Sequence, residues 1–379
     1  MADRAARTAR QAALETLLRV ERDGAYANLA MGAVLDRSML AARDRAFATE
    51  LAYGTIRRRR SCDWLVDRFV SREPDVITRS VLRLGAYQLA FLDTPPHAAV
   101  SATVELAPAR TRGMVNAVLR RVSEAPRDWP DAATRLSYPD WIVDRLLADL
   151  GEGAAIGALE AMDDRAQVVE REDGYRQDLA SQWVTEVVEA GAGDLVVDLC
   201  AGPGGKATGV ANLGAAVLAV ELHPARARLV ATNAANLHLD RFLTVVGDAR
   251  QPPIADTVAD RVLVDAPCSG LGSLRRRPDA RWRIEAADVE RLAALQRELV
   301  DAAAGLLRPG GELVYSVCTL TAAETTAVDA WLADAHPELR AREPGGELAG
   351  LAVARGRGLL LLPQAAGTDG MFVLRLRRD

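Results

Sequence analysis

The chain has 379 residues and a formal net charge of −5, a length that accommodates two domains with separate cores. Its four cysteines (Cys62, Cys200, Cys268 and Cys318) form no C-x-x-C pair and only four histidines accompany them, so neither a disulfide scaffold nor a metal site is expected. The first ten residues are polar and arginine-rich, and no apolar run approaches the ~18 residues of a membrane span; a soluble, cytoplasmic protein with no membrane association is expected.

Residues 2–125 read as entirely helical, with apolar positions three and four apart in 12–20, 47–56, 64–70 and 76–92. Pro95 and Pro96 interrupt the pattern, which resumes over 98–106 and 114–122. Residues 1–125 hold 20 arginines against 14 acidic residues, while the rest of the chain is acidic, so this front end suits either a polyanionic partner or a solvated helical surface. Arg57, Arg58, Arg59 and Arg60 form one run at a helix end, and Arg120 and Arg121 end another helix. Such clusters suit phosphate contacts, although cations at helix C-termini are favourable without any ligand. Arg281 is a further candidate for such contacts. From 126 the pattern weakens, with Pro126, Pro130 and Pro139, a helix over 141–150 and a polar stretch over 163–176. The expected division is a helical domain at 1–128, a linker and connector helix at 129–176, and a second domain at 177–379.

From Gln177 helix and strand alternate. A helix over 180–190 precedes a strand ending at Asp198, and strands recur at 216–221, 243–246, 262–265 and 312–317. That alternation implies a parallel sheet wrapped by helices, with the ligand beyond the carboxyl ends of the strands. Two late apolar stretches, 359–362 and 371–376, suit a closing hairpin.

The stretch D-L-V-V-D-L-C-A-G-P-G-G-K (194–206) reads as a buried strand feeding a turn that opens a helix. Gly202, Gly204 and Gly205 let a ligand approach the first N–H groups of that helix. The spacing matches neither the dinucleotide fingerprint nor the phosphate loop, so a methionine-linked adenosine fits better than a triphosphate. Lys206 is the single lysine of the chain, against 46 arginines, which marks a position that needs a compact, flexible point charge. Acidic residues sit in register at the strand ends. Glu221 can accept from ribose hydroxyls, Asp248 from the adenine amine, and each alone is equally a common helix cap. In D-A-P-C-S-G (265–270) Pro267 fixes the chain so that Asp265 and Cys268 face the crevice, and Cys318 in Y-S-V-C-T-L lies just past another strand.

These stretches resemble the Sun/Fmu (RsmB) group of RNA cytosine-C5 methyltransferases, which use S-adenosylmethionine. D-L-C-A-G-P-G-G-K is similar to the family's first motif, D-A-P-C-S-G-L-G-S-L-R-R-R-P-D-A-R-W-R to its fourth, Y-S-V-C-T-L to its sixth and G-T-D-G-M-F (367–372) to its closing motif. L-A-Y-G-T-I-R (51–57) and G-M-V-N-A-V-L-R-R (113–121) resemble the NusB-like helical RNA-binding domain of this branch. The resemblance implies a Rossmann-like α/β methyltransferase domain preceded by an all-α NusB-like domain. It implies cofactor contacts from Asp198, Cys200, Ala201, Gly202, Pro203, Gly204, Gly205, Lys206, Glu221, Asp248 and Asp265. It also implies that Cys318 is the nucleophile and Cys268 assists product release, with Asp265 and Lys206 beside them. Val317 stands where a threonine is usual and Gly202 where an alanine is usual, and the connector before the sheet is shorter than in many relatives. The implied substrate is ribosomal RNA, small-subunit RNA first. Transfer RNA is the alternative substrate, and a non-catalytic RNA-binding or ribosome assembly factor the alternative class. A monomer is expected.

Overall fold

The computed structural model describes residues 8–379. The chain divides into two compact units: the first runs to Val143 and includes Arg277–Arg283, and the second comprises Asp144–Arg276 and Ile284–Asp379. The expected boundaries therefore shift. The residues expected as linker are built into the units, 129–143 into the first and 144–176 into the second.

The first unit is helical: α1 (Ala9–Asp23), α2 (Ala27–Asp36), α3 (Ala42–Arg57), α4 (Arg59–Asp67), α5 (Val76–Phe91), α6 (Pro96–Val104), α7 (Arg112–Glu124) and α8 (Ala132–Leu136). Local chemistry sets the ends. Thr8 and Gln11 form a reciprocal capping box at the start of α1, and the Asp75 carboxylate accepts from the Ile77 and Thr78 amides to start α5. Leu17, Leu51, Leu65, Leu82, Leu84 and Leu119 bury the apolar stripes in one core. Gly54, in L-A-Y-G-T-I-R, is required by close packing: a Cβ there would lie 1.9 Å from Cζ of Tyr87, whose hydroxyl donates to Glu50 at 2.6 Å.

The segment 277–283 satisfies helix ends of this unit, and it overturns two RNA-contact assignments. Arg281 is 0% and Arg57 6% exposed. The Arg281 guanidinium lies 3.9 Å from the centre of the Tyr138 ring and donates to the backbone carbonyls of Arg57 (3.3 Å) and Ser137 (3.2 Å). Beside it Trp282 donates to the Ile56 carbonyl at 2.8 Å, and Arg283 donates to the carbonyls of Gly24 and Ala25. The last carbonyls of a helix have no partner within the helix, and buried cations serve them here. The neighbours in the run are half-buried and engaged within the unit. Arg58 donates to the Arg135 carbonyl (3.2 Å), Arg59 lies 3.5 Å from Glu21, and Arg60 bonds Thr134, Tyr138 and Asp140. Arg120 and Arg121, at the end of α7, are exposed. Arg281→Ala is therefore expected to lower the thermal stability of the helical unit, by about 3 kcal/mol for lost bonds to buried carbonyls. An unchanged melting temperature would overturn this stabilising role for Arg281.

After α9 (Asp140–Leu150), the second unit continues with α10 (Glu152–Ala161) and α11 (Leu179–Val187), then β1 (Leu195–Asp198), α12 (Gly205–Asn212), β2 (Ala216–Glu221), α13 (Pro224–Asn236), β3 (Phe242–Val246) and β4 (Ala259–Asp265). The long α14 (Ala286–Leu306) leads to β5 (Leu307–Val317), α15 (Thr326–Ala335), β6 (Leu339–Arg342), α16 (Gly346–Leu351), β7 (Val353–Arg355), β8 (Gly358–Leu361), α17 (Pro363–Ala366) and β9 (Met371–Arg378). The strands form a nine-stranded sheet in the order β3-β2-β1-β4-β5-β9-β8-β7, with β6 also on β9. Strands β1 to β5 are parallel, and β9 runs antiparallel between β5 and β8, so the expected closing hairpin is present. The strand order reverses between β1 and β4. In an open α/β sheet that reversal opens the ligand crevice at the carboxyl ends, here Asp198 and Asp265.

The stretch before the sheet folds back onto α12. Glu170 and Arg176 form an antiparallel bridge, and the Arg171 guanidinium between them donates to the Gly205 carbonyl (2.5 Å), Thr208 Oγ1 (3.1 Å) and Gln177 Oε1 (3.1 Å). Though short, this connector braces the helix that carries Lys206.

Candidate active site

Strand β1 delivers Asp198 fully buried, and its Oδ1 accepts from the Cys200 amide at 3.1 Å. Gly204, at φ +110°, caps α12 in a conformation that side chains disfavour. At the end of β2 the Glu221 carboxylate accepts from the amides of Gly202 (3.1 Å) and His223 (2.9 Å), while Arg226 donates to the Gly202 carbonyl at 2.5 Å. A Cβ on Gly202 would lie 2.2 Å from Oε2 of Glu221. The departure from the usual alanine thus has a physical reason, since glycine admits this approach of the carboxylate. Asp248 follows β3 at the same end of the sheet, but its carboxylate holds Arg250 at 2.6 Å, and these hydrogen bonds draw it below the usual carboxylate range. Leu222, beside Glu221, is 55% exposed; an apolar residue there was not anticipated from the sequence.

The candidate catalytic residues gather where β4 and β5 end. Lys206 Nζ lies 2.6 Å from Asp265 Oδ2, and the Ser316 hydroxyl donates to Asp265 Oδ1 at 2.9 Å. The sulfurs of Cys268 and Cys318 are 3.4 Å apart, and the Ser273 hydroxyl points to Cys318 Sγ at 3.7 Å. Ser273 and Ser316 are additions to the expected set. Val317, where a threonine is usual, is fully buried within β5 directly before Cys318. A hydrogen bond from Cys268 lowers the Cys318 thiol from its ordinary value against burial, with Ser273 and the Lys206 charge adding to the effect. Cys268 is pushed well up by the same hydrogen bond, by burial and by the neighbouring sulfur's charge. Burial alone would lower Lys206, but the Asp265 carboxylate outweighs it and the ammonium is held protonated.

Three loops converge on this pair. The Gly272 amide donates to the Cys318 carbonyl at 2.9 Å, and the Gly370 amide to the Gly272 carbonyl at 2.8 Å. A Cβ on Gly272 would lie 2.4 Å from the Gly370 carbonyl oxygen. Arg276 adds ion pairs to Asp178 (2.9 Å) and Asp369 (3.1 Å), tying the fourth motif to the closing one.

A cationic cofactor fits this crevice. The charges of Asp265 and Asp198 both act on the buried Lys206 ammonium, Glu221 lies 3.6 Å from Arg226, and burial followed by the Asp265 charge pushes the Asp198 carboxyl up to about 7. With Asp198, Glu221 and Asp265 at the carboxyl ends of neighbouring strands, the sulfonium and ammonium groups of S-adenosylmethionine would be favoured here. The open N-terminus of α12 and the exposed Leu222 offer complements for its carboxylate and adenine. Among the described residues no group of three or more metal-ligating side chains occurs, and no helix is long and apolar enough to cross a membrane.

Comparison with known proteins places the chain in a family. Residues 186–377 match the family described as 16S rRNA methyltransferase RsmB/F, and residues 7–124 match the NusB family. A putative methyltransferase of Mycobacterium tuberculosis is 39% identical over 98% of this chain and 96% of its own length. That alignment spans 450 positions, more than this chain's length, so the relative carries segments absent here. Ribosomal RNA small subunit methyltransferase B of Thermus thermophilus is 37% identical, with 98% of each chain covered. In fold, the crystal structure of PH0851 superposes with a TM-score of 0.79 at 21% identity, covering 97% of this chain and 98% of that one. A methyltransferase homologue from Pyrococcus horikoshii covers 66% of this chain and 98% of its own at a TM-score of 0.56 and 21% identity. With S-adenosylmethionine as its cofactor and a NusB-family domain ahead of its Rossmann-like sheet, the chain belongs to the 16S rRNA methyltransferase RsmB/F family.

Proposed function

We propose that this protein methylates C5 of a cytosine in small-subunit ribosomal RNA through a covalent bond between Cys318 and C6 of the base. The observation that carries this reading is the pair of sulfurs 3.4 Å apart beside the Lys206–Asp265 ion pair. C5 of cytosine is too weak a carbon nucleophile to be methylated directly, so a soft nucleophile must first add at C6. Cys318, its thiol pKa lowered, is the better thiolate of the two. The target base leaves its stack to reach the crevice, which costs least in single-stranded RNA. Asp265 then accepts from the N4 edge of the ring, and the Cys318 sulfur bonds to C6 as the electron pair moves toward C5. S-adenosylmethionine supplies the methyl group that C5 takes up.

Release follows from the same geometry. As a thioether, Cys318 carries no charge and is only a weak acceptor, so of the causes that keep Cys268 protonated the neighbouring charge is gone and the hydrogen bond is weakened. Cys268 can lose its proton to solvent and take the C5 proton; the C5–C6 double bond re-forms and Cys318 leaves as thiolate. Of the two arginine clusters in the helical unit, Arg120 and Arg121 are the exposed ones and are the candidates for phosphate contact.

The substrate is tested by bisulfite sequencing of total RNA from a strain lacking the gene. One 16S ribosomal cytosine is expected to lose its protection and to regain it on complementation. Full protection of every ribosomal cytosine, with loss in a transfer RNA instead, would overturn the substrate and leave the chemistry.

A further inference from the structure

Six residues after Cys318, Glu324 is 0% exposed, and its carboxylate lies at the convergence of five donors. The Ser269 amide reaches Oε1 at 2.7 Å and the Ser269 hydroxyl reaches Oε2 at 2.5 Å; the hydroxyls of Thr319 and Thr321 each reach Oε2 at 2.9 Å, and Gln296 Nε2 reaches Oε1 at 3.2 Å. Ser269 directly follows Cys268, and Thr319 directly follows Cys318. The Ser269 amide belongs to the peptide plane that begins at the Cys268 carbonyl, so its bond to Glu324 fixes the backbone that aims that sulfur. A second strut runs through Gln296 on α14, which also donates to the Pro267 carbonyl at 2.9 Å, and the Tyr315 hydroxyl reaches the Glu324 backbone carbonyl at 2.7 Å.

We propose that Glu324 is a positioning residue for the reaction: its buried carboxylate ties the residues that follow both cysteines to one point, and so holds the two sulfurs at their working separation. A carboxylate without solvent is costly to bury, and an apolar side chain would fill the same space at lower cost if filling were its task. Here every donor comes from a loop that carries a cysteine or from an element bracing one. The charge also gives the pair a direction. Glu324 stands among the groups that raise Cys268, after the Cys318 contact, burial and the Cys318 charge, and so favours the ionised form at Cys318 over Cys268.

This inference rests on the roles given to the two cysteines, and its test is read without RNA as well as with it. The full chain carrying Glu324→Gln keeps the volume but turns an acceptor toward a donor. Peptide-resolved alkylation against pH should show the Cys318 midpoint rising and the Cys268 midpoint falling relative to wild type. Cofactor affinity should be unchanged, and the single-turnover methylation rate should fall about 100-fold, the scale set by a small misplacement of reacting groups. Should Glu324→Gln fail to fold, Ser269→Ala and Thr319→Val each remove one strut, and each should move the midpoints in the same directions by less. Unmoved thiol midpoints in the folded variants would overturn the proposal, whatever the melting temperature does. A wild type that forms no covalent complex would sink the reading of Cys318, while the midpoints would still decide on Glu324.

Discussion

Cys318→Ala is expected to abolish both methylation and any RNA complex that survives denaturing electrophoresis, whereas Cys268→Ala should accumulate that complex. The two outcomes follow from which sulfur can act first. The Cys318 sulfur lies 3.4 Å from that of Cys268, and the contact with Cys268, with Ser273 and the Lys206 charge, lowers its thiol, so it is the sulfur whose ionised form is stabilised. Removing it leaves C5 unactivated, and the loss should reach the detection limit, at least about 10³-fold, since a covalent step cannot be replaced by binding alone. Removing Cys268 deprives the thiolate of a hydrogen bond but leaves the nucleophile. Addition therefore continues, more slowly, while elimination lacks the group 3.4 Å from the adduct. Turnover should fall as the trapped fraction rises with time. Reversed results, with Cys268→Ala losing the adduct and Cys318→Ala trapping it, would exchange the two roles.

Much of this centre was legible because its chemistry is contiguous in the sequence. Strand-terminal acids follow apolar runs, and D-A-P-C and S-V-C-T each carry a cysteine at a strand end, so the period of the pattern locates them without any knowledge of packing. Glu324 was not legible, since T-A-A-E-T-T reads as the polar start of a helix, and only the fold sets its carboxylate against Ser269, 55 residues earlier. Arg281 failed in the opposite sense. An arginine in R-R-R-P-D-A-R-W-R suggests a surface, yet its partner carbonyl at Arg57 is 224 residues away, and that tertiary contact decides its burial. Helix α10 was missed because G-E-G-A-A-I-G-A-L-E has glycine and alanine where a clear apolar stripe would stand, and packing supplies what propensity lacks. The domain boundary shifted for a related reason: proline marked a change of local pattern near 130, while the compact unit continues to Val143.

Lys206→Met should move the acid limb of the pH–rate profile to higher pH and lower the rate at neutral pH by about 100-fold, comparable to removing one preorganised charge from an active site. The sign is set by the thiolate, which is the reacting form and increases as pH rises through the Cys318 pKa. In the wild type that pKa is lowered, first by the Cys268 hydrogen bond and further by Ser273 and Lys206, so activity should persist below the pH at which an ordinary thiol ionises. Losing the ammonium removes one of those causes and leaves the Asp265 charge, which pushes the thiol up, uncompensated. Part of the lost rate should therefore return as pH is raised. Arginine is a poor substitute at this buried position, because a larger planar guanidinium spreads its charge and needs more room than the compact ammonium that pairs with Asp265 here. That distinction gives a reason for one lysine among 46 arginines. A rate that stays equally depressed at every pH would mean that Lys206 acts by orienting Asp265 and not through Cys318, and a profile identical to wild type would remove it from the mechanism.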